Sequence, residues 1–203
     1  QLKNLERIEE SSKKFKEKYQ NKIDEIQDNI ERKKSLNFLH SGHLADIINV
    51  LPVIKKLAEN RTCNLYININ KTVKNYYKHP AGKYYLNEKI FKRLEPLLVK
   101  QSYINNVKIF DNQEIDVNFD LIRELPINLL FDNTSYASIL TGVYPDLTSQ
   151  FLECESHKKL EGYVVIQRTF RYRNHFINYD FLNNYKKLLF IGIKSEYDDL
   201  KKT

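Results

Sequence analysis

The 203-residue chain contains no methionine, only two cysteines, and only five glycines and five prolines. With Gln1 at its start, the missing methionine reads as a processed or trimmed chain. Cys63 and Cys154 form no C-x-x-C pair. That excludes a disulfide framework and makes a reducing cytoplasm the default compartment, with the inner membrane surface as the alternative placement. Cys63 opens an apparent strand and reads as a small buried thiol. No run approaches the roughly 18 apolar residues of a membrane span, so no transmembrane segment is expected. The highly charged N-terminus does not fit a secretory signal. Metal-ligating patterns are scarce as well. No D-x-D triplet sits in a plausible strand-end loop, and "DVNFD" (116–120) imitates a calcium loop only as far as Leu121, where glycine is needed. Ile127 stands where the bidentate Glu belongs, and no metal site is expected.

What is present suits one large domain, or one domain and part of another: 41% hydrophobic and 29% charged residues. The net charge of +7 favours anionic partners such as phosphorylated ligands. It lacks the clustering that would make nucleic acid the first expectation. Residues 1–34 read as one long helix or coiled-coil stalk, with Leu5, Ile8, Phe15, Tyr19, Ile23, Ile26 and Ile30 falling largely at helical spacings. From Tyr19 to Ile30 the steps are heptad-like, and Ser11 and Ser12 interrupt the seam upstream. Self-association through residues 1–34, or docking of the stalk on the globular body, is the expected role.

From Ser35 the pattern alternates between strand and helix. Strands are expected at 36–39, 63–69 and 107–111, and helices at 44–58 (with a bend or break at Pro52), 88–101 and 135–145. Residues 119–125 fit a strand or a short helix. After a polar stretch the alternation resumes, with strands at 163–167 and 188–193, a short helix between them and a helix start after the second. The fold class is therefore α/β with a mostly parallel sheet. The expected division is a stalk over 1–34, a first domain over 35–160, and the start of a second, incomplete domain over 161–203.

In open α/β sheets, ligands bind beyond the carboxyl ends of the strands. Two stretches occupy such places. In "HSGHLADIINVLP" (40–52), Gly42 would permit a positive φ or a close approach to a ligand, and Asp46 falls in the first turn of the following helix. Asp46 is open to two readings, a reactive carboxylate or an acid that simply favours the helix dipole. His43 is open to a titrating role near neutrality or to a solvent-facing or core-capping one. In "QRTFRYRNH" (167–175), Thr169 offers a hydroxyl, and Arg168, Arg171 and Arg173 offer guanidinium forks suited to phosphate oxygens or to acidic neighbours. A third stretch, "KTVKNYYKHPAGKYY" (71–85), interleaves lysine with tyrosine. It fits an ordinary surface loop, a sugar-acceptor loop or a single-stranded nucleic-acid contact.

The first two stretches resemble the ADP-heptose:lipopolysaccharide heptosyltransferases and their B-type glycosyltransferase relatives. There the first strand runs into H-S-G-D-L-G-D-I-I with an LP later in the helix, and the second domain opens with an apolar strand and N-R-T-x-R-Y-R-N. "LLFIGIKSEYDDL" (188–200) is similar to the next strand and helix of that branch, a strand ending in F-[IV]-G and a helix opening with E-Y. The likeness covers about residues 36–200; this chain has His43 and Ala45 where the family has Asp and Gly. The resemblance implies two Rossmann-like domains and inverting, metal-independent transfer of a sugar from a nucleoside-diphosphate donor to a glycan or glycoconjugate hydroxyl. No separate cofactor is implied. Asp46 matches the proposed general base, Ser41, Gly42 and His43 belong to the substrate-binding turn, and Thr169, Arg171 and Arg173 match the loop near the donor diphosphate. The competing expectation is a non-catalytic scaffold on the same fold, assembled through its N-terminal helix.

Overall fold

The computed structural model describes residues 6, 9–10, 12–14, 16–73, 83–125, 132–155, 158–170 and 176–201. The chain divides into two compact units, Gln1–Cys154 and Glu155–Thr203.

In the first unit a π-helical turn, Lys16–Gln20, leads into helix α1, Asn21–Arg32. The heptad positions Leu5, Ile8 and Phe15 lie outside the described residues. Downstream, Ile23, Ile26 and Ile30 are buried in the same core as the sheet. The apolar stripe that reads as a stalk seam is thus covered by the body of this unit, as an amphipathic surface helix requires.

Strand β1 (Ser35–His40) is followed by α2 (Leu44–Ala58), β2 (Thr62–Ile67), α3 (Glu88–Leu98), β3 (Asn106–Ile109), β4 (Val117–Asn118) and α4 (Asn133–Thr141). The four strands form one sheet in the order β3-β2-β1-β4, and every pairing is parallel. Phe38 pairs with Leu65 on one side and Val117 on the other, so β1 is central. Leu36, Phe38 and Leu39 are all buried, as expected of a parallel strand covered on both faces.

Ile47, Val50, Leu51, Ile54 and Leu57 give α2 its buried stripe. Pro52 neither breaks the helix nor leaves the core; α2 runs through it and buries it. Helix α3 likewise runs through Pro96, N-capped by Asn87, whose side chain accepts from the Ile90 N–H at 2.9 Å. Helix α4 begins two residues earlier than its apolar pattern suggests, because Asp132 caps it by accepting from the Ser135 N–H at 2.7 Å. It ends at Gly142, whose φ of 70° lets its N–H reach the Ser138 carbonyl. Helix α4 packs on both α1 and α2.

Of the two forms open to 119–125, the structure has the short helix, and it is of the 3₁₀ kind. Strand β4 lasts two residues, and a 3₁₀ helix, Phe119–Glu124, follows it at once. Phe119 stacks on Phe38 with ring centroids 5.6 Å apart, so the 3₁₀ turn is pinned to the centre of the sheet.

The second unit holds parallel strands β5 (Val164–Ile166) and β6 (Leu188–Phe190), joined through a 3₁₀ helix, Asp180–Asn184, and followed by α5 (Lys194–Leu200).

If α1 belongs to the core of the first unit, Ile26→Ala should lower its unfolding free energy by about 2–5 kcal/mol, as buried Ile truncations do. Urea denaturation of the two chains measures this. An effect within about 0.5 kcal/mol would mark an exposed helix instead.

Candidate functional site

The strand order turns back between β1 and β4: β2 and β3 extend the sheet on one side of β1, and β4 lies on the other. Such a switch point opens a crevice at the carboxyl ends of the strands. His40, Ser41 and Gly42 leave β1 here, and Asp120 and Arg123 leave β4.

Asp120 is the anchor. Only 9% exposed, it accepts from the Ser41 N–H at 2.9 Å, from the Ser41 hydroxyl, from Lys71 Nζ at 2.6 Å and from Arg123 Nη1 at 3.1 Å. Burial is the largest influence on its carboxyl and pushes it upward. The hydrogen bonds from Lys71 and Ser41, with the Lys71 charge, outweigh burial and hold the carboxyl below its ordinary value.

Arg123 carries the network onward. The 3₁₀ helix places residues three apart on one face, so Arg123 lies beside Asp120. Its Nη2 donates to Asp46 Oδ2 at 2.8 Å, and its guanidinium lies 4.5 Å from the centre of the Tyr85 ring. Asp46 also accepts from the His43 N–H at 3.0 Å and, through Oδ1, from Asn133 Nδ2 at 2.9 Å. Lys71, Asp120, Arg123 and Asp46 thus form a chain of alternating charge with no net charge. Asp46, with its side chain 26% exposed against 9% for Asp120, is the carboxylate of this chain that solvent reaches.

The two histidines differ. His40 is buried, and its Nδ1 accepts the Gly42 N–H at 2.8 Å. Burial first, then the Arg123 charge, lower its pKa to about 4 against the partial opposition of Asp120 and Asp46. It is therefore neutral at pH 7, and its 4.0 Å approach to Asp120 is not an ion pair. His43 is the residue that precedes α2 as its N-cap, with Nδ1 2.9 Å from the Tyr85 carbonyl and its ring edge-on to Tyr85. A carbonyl only accepts, so Nδ1 carries the proton.

Gly42 has its own reason. It is not among the residues of positive φ. A β-carbon there would collide with the Arg123 guanidinium, the His40 ring and Asp46 Cβ. The missing side chain makes room for the charge network, and of the two readings of Gly42 the positive-φ one is corrected.

Of the predicted site residues, the structure brings Ser41, Gly42, His43 and Asp46 together. Thr169 lies in the second unit, half-buried beyond β5; Arg171 and Arg173 lie outside the described residues. Of the stretch 71–85, residues 74–82 also lie outside them. The base of that stretch is an antiparallel arm, with Thr72 bridged to Tyr84, that delivers Lys71 to Asp120 and Tyr85 to Arg123 and His43. Sequence reasoning missed His40, Asp120, Arg123 and Asn133. The i, i+3 spacing of Asp120 and Arg123 was the available signal, and it counts only once the segment is known to be 3₁₀.

The cavity bounded by His40, Asp46, Phe119, Ile122, Arg123 and Asn133 has a volume of about 50 Å³. That is space for a water, against the roughly 300 Å³ or more of a ligand pocket. Among the described residues, no three His, Cys, Asp or Glu side chains converge as a metal set. None of their helices is long and apolar enough to cross a membrane. No family model, curated protein or solved structure matches the chain.

His40 sets a pH dependence. The unfolded histidine titrates near 6.5 and the folded one near 4, so between these values the unfolded state binds more protons. Stability should be full above about pH 6.5 and fall by about 3 kcal/mol as pH drops to 4. The contribution of Asp120, whose carboxyl is held low, should be lost only at still lower pH. Urea midpoints across this range test the slope. His40→Asn, which keeps an acceptor for the Gly42 N–H, should flatten it, and an equally steep slope in that variant would rule His40 out as the cause.

Proposed function

We propose that the chain is a glycosyltransferase-like protein that moves a sugar from a nucleoside diphosphate to a hydroxyl acceptor. The acceptor is taken by the first unit and the nucleotide by the second, on Rossmann-like folds. The observation that carries this reading is the placement of Asp46: at the switch point, at the carboxyl end of the central strand, reached by solvent and oriented by Arg123, Asn133 and the His43 N–H. In the reaction, Asp46 takes the proton of the acceptor hydroxyl as that oxygen bonds to the anomeric carbon. The bond from that carbon to the diphosphate oxygen breaks, the electron pair leaves with the diphosphate, and the configuration inverts. Thr169, Arg171 and Arg173 stabilise the leaving group. A positioned base of this kind contributes about 10²–10⁴-fold in rate.

A specific observation favours a second reading, a non-catalytic scaffold. Lys71, Asp120, Arg123 and Asp46 are paired with one another, and the cavity beside them measures about 50 Å³. A closed ion-pair cluster of this sort serves a fold as well as a reaction.

Calorimetric titration with ADP, UDP, GDP and CDP separates the two. The transferase reading expects saturable binding of one nucleotide, lost in Arg171→Ala and retained in Asp46→Asn, with turnover lost in the latter. Absence of binding by all four would leave the scaffold, in which Asp46→Asn alters stability alone.

A further inference from the structure

In the second unit, Arg168 leaves β5 at its carboxyl end and is only 6% exposed. One edge of its guanidinium is engaged: Nη1 donates to Asp199 Oδ2 at 2.8 Å. The planar group also lies against the Tyr179 ring, 5.1 Å from its centre. Nε and Nη2 are buried and have no hydrogen-bond partner among the described residues.

These two orphans are not a random pair. Nε–H and the neighbouring N–H of Nη2 project side by side from one edge of the guanidinium and form the fork that grips two oxygens of a single carboxylate or phosphate. Buried donors are almost always paired, and an unpaired one asks for an explanation. Asp199 holds one end of the group and Tyr179 covers a face, so the fork is oriented before any ligand arrives. Tyr179, though not Arg168, also lines a hollow of about 910 Å³ together with Gly192, Lys194 and Tyr197.

We infer that the Nε–Nη2 edge of Arg168 is an oxyanion-binding site, taking a phosphoryl or carboxylate group side-on while Asp199 and Tyr179 hold the guanidinium in place. This site stands on the orphaned fork and not on the transferase reading. Asp199 and Tyr179 are positioning residues, and Arg168 is the residue that touches the ligand.

The test is calorimetric titration of the full chain with inorganic phosphate and, separately, acetate, with ionic strength held constant by sodium chloride. Saturable binding of one of them is expected, and the anion that binds identifies the source as phosphoryl or carboxylate. Arg168→Lys keeps the charge but loses the planar fork, and should weaken binding by roughly tenfold or more. Asp199→Asn keeps an oxygen that accepts from Nη1, so the fork stays oriented, but removes a competing negative charge beside the site; it should tighten binding, which a merely structural role of the ion pair does not explain. Binding of neither anion by the folded chain overturns the inference, as does equal affinity in Arg168→Lys. Should that variant fail to fold, unchanged or weaker binding in Asp199→Asn overturns it. Phosphate binding without nucleotide binding sustains this site and removes the transferase; nucleotide binding indifferent to Arg168→Lys does the reverse.

Discussion

A carboxylate buried as deeply as Asp120 is tolerated only where donors and cations surround it, and the first unit is organised around meeting that demand. Its partners come from three separate strand ends: Ser41 after β1, Lys71 after β2 and Arg123 after β4. One buried charge therefore ties together the loops on the carboxyl side of the sheet. Taking away any one partner leaves the charge short of compensation in a low-dielectric setting, which costs more than the pair contributed. The stacking of Phe119 on Phe38 holds the same turn from the apolar side, so polar and apolar constraints place Asp120 together.

The chemistry open to Asp46 depends on this anchoring. Arg123 is shared, with one nitrogen on Asp120 and the other on Asp46, so the orientation of Asp46 is inherited from the buried carboxylate. Gly42 and neutral His40 belong to the same arrangement. The first makes room for the guanidinium, and the second lies beside it without adding charge. The result is a carboxylate held in one orientation on the rim of a small cavity.

The second unit treats its buried guanidinium differently. In the first unit both terminal nitrogens of Arg123 meet carboxylates, whereas Arg168 has one nitrogen on Asp199 and a whole edge unpaired among the described residues. Matched charges rigidify a fold; an oriented donor edge without an acceptor is a recognition element.

The sequence by itself determined the alternation of strand and helix, the mostly parallel α/β class and the turn that leads from β1 into α2, because apolar periodicity and turn residues act over a few neighbouring positions. The closeness of Ser41, Gly42, His43 and Asp46 at that turn was legible for that reason. Only the tertiary structure decided that Ile23, Ile26 and Ile30 face this unit's own core, since an apolar stripe does not name the surface that covers it. Only the tertiary structure brought Arg123 and Asn133 to Asp46, and Lys71 to Asp120 behind them, across separations set by strand order rather than by local pattern. The reason for Gly42 was hidden in the same way. Its crowding comes partly from the guanidinium of Arg123, far along the chain, and the space a residue must leave empty is known only when its neighbours are in place.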